Sequence, residues 1–115
     1  MRTIALLPTL ATMFLLGLPG LATATTVTDE EMAAADQWVA ARLAVAGESL
    51  PPFSFIYDGK PSAELLPDWE QTRRVRELDD RRVEITLTWT DPESGLVVRC
   101  IAITYRGFPV AEWTL

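Results

Sequence analysis

The chain has 115 residues, a net charge of −6 and one cysteine. That bounds it to one domain, rules out an internal disulfide and leaves no basic field of the kind that binds nucleic acid. It has no histidine, which removes the commonest general base and metal ligand, and no cofactor is expected.

Arg2 gives a short basic start, and an apolar run follows from Ile4 to Leu18. Gly17, Pro19 and Gly20 interrupt it before the roughly 20 apolar residues that a membrane span needs. Ala22-Thr23-Ala24 fits the small-x-small pattern of a secretory cleavage site. Residues 1–24 are therefore expected to be a signal peptide, cleaved after Ala24, and the protein to be exported to the periplasm or the medium.

Residues 25–52 form the next unit, a helix and an extended lead-in. Thr28-Asp29-Glu30-Glu31 has the form of a capping box. Met32, Ala35, Trp38 or Val39, Leu43 and Ala46 recur at helical spacing, and Gly47 supplies a stop, which predicts a helix over 28–46. A face bearing Trp38 needs a surface to lie against. Leu50-Pro51-Pro52 is extended, because each proline disfavours the helical region for its predecessor.

From residue 53 onward the period is two. Phe53, Phe55 and Tyr57 share one side, Ser54 and Ile56 the other, and Asp58-Gly59 is a hairpin turn signal. Gln71 to Leu78 is a polar strand that ends at an Asp79-Asp80 turn. Val83, Ile85, Leu87 and Trp89 alternate with Glu84, Thr86, Thr88 and Thr90, the pattern of a half-buried strand. Thr90 to Gly95 is a hairpin loop. Leu96 to Tyr105 is apolar on both sides except at Arg99 and Thr104, which predicts a strand covered on both faces. Val110 to Leu115 is a last strand, with Ala111, Trp113 and Leu115 on one side. It stops on an apolar residue, so a C-terminally truncated β-sandwich over 53–115 is expected, with its last strand exposed to self-association.

The chemistry is sparse. Asp29, Glu30 and Glu31 read as helix-start charges, Asp79 and Asp80 as a solvated turn, and Asp91 and Glu93 as loop residues. Cys100 lies in an apolar strand and reads as a buried, inert thiol. Arg73, Arg74, Arg76, Arg81 and Arg82 interleave with Glu70, Glu77, Asp79 and Asp80, as along a solvated strand edge. No catalytic or metal-binding residue is assigned. The aromatics read mainly as core. Asp58 and Lys60, in the exposed loop from Asp58 to Ser62, are the candidate substrate contacts.

Three segments in this order, "PPFSFIYDGKPSAELLPDW", "LTWTDPESGLVVRC" and "YRGFPVAEWTL", resemble the start of α-galactosidases of the glycoside hydrolase family 36 type. The resemblance runs from about Glu31 to Leu115. It implies a mainly β fold, an antiparallel β-sandwich (part of a supersandwich) with one N-terminal helix, that precedes a (β/α)8 catalytic barrel. It further implies hydrolysis of terminal α-galactosides by aspartates of that barrel, none of which this chain holds. The barrel of the same polypeptide is thus the expected partner, and the galactoside is bound only through it. A free-standing exported carbohydrate-binding or interaction module is the alternative of another class.

Overall fold

Thr28 opens the first helix as the sequence predicts. In the computed structural model, which describes residues 25–45 and 50–115, helix α1 spans Asp29–Arg42. Both arms of its capping box form. The Thr28 Oγ1 accepts from the Glu31 N–H at 3.2 Å, and the Thr28 N–H donates to Glu31 Oε2 at 2.9 Å. The predicted leader over 1–24 lies outside the described residues, as do Ala46 and Gly47. The helix ends earlier than its periodicity suggests, with Leu43 as its C-cap. Leu43 is fully buried, and its carbonyl accepts from Arg73 Nε at 2.8 Å, so docking onto the sheet turns the chain before the apolar period runs out. Trp38 is not the residue that anchors this helix. It is exposed, and Val39 packs against the core instead.

Asp58 and Gly59 take φ of 50° and 74°. Two consecutive left-handed residues make the tight turn whose twist matches flanking antiparallel strands, and a glycine at the second position carries no Cβ penalty. The turn joins β1 (Ile56–Tyr57) to β2 (Lys60–Pro61). The chain then returns through a short helix, α2 (Ser62–Leu65), and a 3-10 turn (Leu66–Asp68), neither of which the sequence pattern anticipates. The 3-10 turn and the residue after it drop apolar side chains, Leu66 and Trp69, into the core.

The main sheet has four antiparallel strands in strict chain order: β3 (Glu70–Glu77), β4 (Arg82–Thr90), β5 (Val97–Tyr105) and β6 (Ala111–Thr114). The alternation in β4 holds: Ile85, Leu87 and Trp89 are buried, and Val83 is half-buried. Register brings Leu87 opposite Cys100 and Ile85 opposite Ala102, which completes one apolar face. Leu43, Phe53, Phe55, Leu65, Leu66 and Trp69 cover it. Full burial of a side chain such as Leu87 stabilises by about 1.5–3 kcal/mol. The architecture is mainly β, with antiparallel sheets of two and four strands and two helices, compatible with the expected partial β-sandwich.

The two-sided cover expected for β5 does not form among the described residues. Cys100 and Ala102 are buried on its inner side, whereas Val97 and Ile101 on the other are exposed. The apolar run marks the strand correctly, but the described chain supplies a layer for one face only.

Candidate functional site

The turn that holds Asp58 and Lys60 is built by backbone conformation, and both side chains project into solvent. Neither belongs to the groove described below. Around that turn the aromatic residues pack on one another. Phe53 meets Trp89 edge-on at 5.4 Å between ring centroids, and Trp69 contacts both Phe55 and Tyr57. Such edge and offset contacts are core geometry. They seat Phe53, Phe55 and Tyr57 against the buried Trp69 and Trp89.

The carboxylates whose acidity the fold shifts are both pushed downward. The backbone N–H of Arg81 and the side chain of Arg82 hold Asp79 below the usual aspartate range, and the Arg82 N–H adds to this. The Ser94 hydroxyl and the Glu93 N–H do the same for Asp91 inside the β4–β5 loop. A general acid in glycoside hydrolysis needs the opposite shift. These two groups are turn clamps. The Cys100 thiol, wholly enclosed, is pushed up by desolvation and so is a poor nucleophile. Among the described residues no group of three or more His, Cys, Asp or Glu is placed to hold a metal ion. No helix there is long and apolar enough to cross a membrane.

The Asp79 clamp makes a testable case. Its carboxyl should titrate below the ordinary value of 3.8 in the folded chain. Its contribution to stability is then complete above that value and disappears as pH falls through the lowered one. Carbon-detected NMR titration checks this. In Arg82→Ala the midpoint should rise toward the ordinary value, and an unchanged midpoint would show that the Arg82 side chain takes no part.

The outer face of the sheet holds a shallow groove of about 480 Å³. Alternation turns Thr72, Arg74 and Arg76 of β3, Glu84, Thr86 and Thr88 of β4, and Arg99 and Ile101 of β5 to this side. Register sets them in rows: Thr72–Thr88–Arg99, then Arg74–Thr86–Ile101, then Arg76 beside Glu84. Arg76 Nη2 lies 3.1 Å from Glu84 Oε1. Arg74 and Arg99 have no carboxylate partner among the described residues. Four of the five arginines that form one cluster in the sequence are therefore divided among three places. Arg73 points inward to the Leu43 carbonyl, Arg74 and Arg76 point outward, and Arg82 binds Asp79 in the turn. Sequence reasoning missed this groove. The common parity of residues 72, 74 and 76, of 84, 86 and 88, and of 99 and 101 was the available signal, and it needed the hairpin registers to be read.

The two sheet edges differ. On β3, Val75 is flanked by Arg73, Arg74, Arg76 and Glu77, and charges of this kind discourage strand addition. On β6 and the turn before it, Phe108, Val110, Trp113 and Leu115 are exposed, Trp113 by 37% and Leu115 by 65%. No protein-family model matches this chain, nor does any curated protein or solved structure.

Proposed function

We propose that this chain is the N-terminal β-sandwich portion of an exported α-galactosidase of the glycoside hydrolase family 36 type, and that it acts by bracing a catalytic barrel supplied by the same polypeptide. Terminal α-galactosides are hydrolysed in that barrel, and the described fold contributes no acid or nucleophile. The observation that supports this is the asymmetry of the sheet edges. β3 is defended by charge, whereas β6 offers open backbone groups beside Trp113 and Leu115, as a strand does that another layer covers. The resemblance of the ordered segments around Asp58-Gly59, the Asp91–Gly95 loop and Phe108-Pro109 supports the choice of family. Without its cover, the same edge makes the chain self-associate.

Three measurements test this: the reading frame downstream of the codon for Leu115, release of a chromogenic aglycone from an α-galactoside by the purified chain, and its light scattering. Expected are barrel motifs in the frame, release at the buffer rate, and oligomers. Turnover well above the buffer rate would overturn the division of labour, and a frame that closes at Leu115 around a stable monomer would favour a free-standing module.

A further inference from the structure

We propose that the outer-face groove is a binding site for an acidic oligosaccharide, with Arg74 and Arg99 as the residues that hold its carboxylates. The chain is acidic overall, yet the groove lining brings three guanidinium groups together with one carboxylate, Glu84, which Arg76 already engages, while Glu70 and Glu112 of the same face lie outside it. Two positive charges are left without a partner. Arg74 and Arg99 stand two strands and one row apart, so strand spacings put their Cα atoms about 12 Å from each other. Both long side chains can then reach one ligand lying obliquely over β4. A planar guanidinium binds a carboxylate through two parallel hydrogen bonds.

The floor between them specifies the rest. Thr72, Thr86 and Thr88 form a patch of hydroxyls that make no side-chain hydrogen bonds to other described residues. Each can donate one bond and accept others. A uronic-acid oligomer offers a carboxylate on every ring for the arginines and hydroxyls for the threonines, and Ile101 gives an apolar edge for a ring face. No aromatic platform lines the groove, so a neutral sugar has little to hold it. An acidic peptide would engage the guanidinium groups but would leave the threonine hydroxyls to water.

The preference for a saccharide rests on the glycosidase reading above. The arginine contacts do not, and the test reads binding alone, so it can fail separately from the hydrolysis assay. The amide NMR spectrum of the full chain would be followed during titration at low salt with trigalacturonate, with an uncharged galactose trimer, and with a glutamate oligomer of equal charge. Trigalacturonate should shift the amides of β3, β4 and β5 with a low-millimolar Kd that weakens as salt is added. Arg74→Gln with Arg99→Gln should weaken it at least tenfold. Arg74→Lys with Arg99→Lys, which keeps the charge but loses the fork, should fall between. No shift with trigalacturonate up to about 10 mM would overturn the site, as would equal binding of the neutral trimer. Equal binding of the glutamate oligomer through the same arginines would overturn the ligand class.

Discussion

Trp89→Ala is expected to destabilise the fold by about 3–5 kcal/mol. Trp89 is 4% exposed, sits at the end of the β4 apolar row, and makes a T-shaped contact with the Phe53 ring. Truncation empties the place where β4, the lead-in before β1 and the second layer meet. The neighbours cannot collapse into it cheaply, because Phe53 is also held against Phe55 and Trp113. Domains have only about 5–15 kcal/mol in total, so the variant should lose at least about 12 °C of Tm and a large share of its denaturant resistance. Equilibrium denaturation followed by circular dichroism checks it. A loss below about 1 kcal/mol would mean that the Phe53–Trp89 contact is not part of the core.

Ser62→Ala removes a single oxygen but should cost about 1–3 kcal/mol. Ser62 is the buried polar residue of the described fold, at 3% exposure. Its Oγ accepts from the Phe55 N–H at 3.1 Å, while its own N–H donates to the Phe55 carbonyl at 2.8 Å. The side chain thus completes the ladder where β2 turns into a helix and can no longer offer a carbonyl to β1. Alanine keeps the second bond and strands the Phe55 N–H without a partner. Exchange of the Phe55 amide should speed up about tenfold for each 1.4 kcal/mol lost. The control is Ser54→Ala on the exposed side of the same segment, expected within about 0.5 kcal/mol of the parent. Equal effects at the two serines would sink the assignment.

What the sequence discloses follows from how local each signal is. The capping box of Thr28 and Glu31, the Asp58-Gly59 turn and the alternation of Val83 to Trp89 depend on residues a few positions apart, and all three form. The end of α1 depends on the burial of Leu43 against Arg73, 30 residues away, so helical periodicity overran it. The helical return at Ser62–Leu65 hides in an apolar stretch too short to show a period. The groove is the most distributed of all. Arg74 and Arg99 come onto one face only after two hairpins set the register, and in linear order Arg74 looks like one more member of a neutralised run. Asp58 and Lys60, singled out for their exposed turn, owe that exposure to the backbone geometry of the hairpin alone.

The strict order of β3, β4, β5 and β6 bears on how the chain reaches this state. Every strand pairs with the one just before it, so each pairing closes only a short loop, and the entropic cost of closure stays small at every step. Sheets of this kind have a lower contact order than sandwiches whose strands cross between layers, and they assemble faster. Within this sheet the β3–β4 hairpin has the shortest connection, and the Asp79 clamp holds it. Arg106 then fastens the next corner back onto it, through the Arg81 carbonyl and the Glu77 carboxylate. β6 holds on by four register pairs to a single neighbour, so its amides are expected to exchange with solvent before those of β4 and β5.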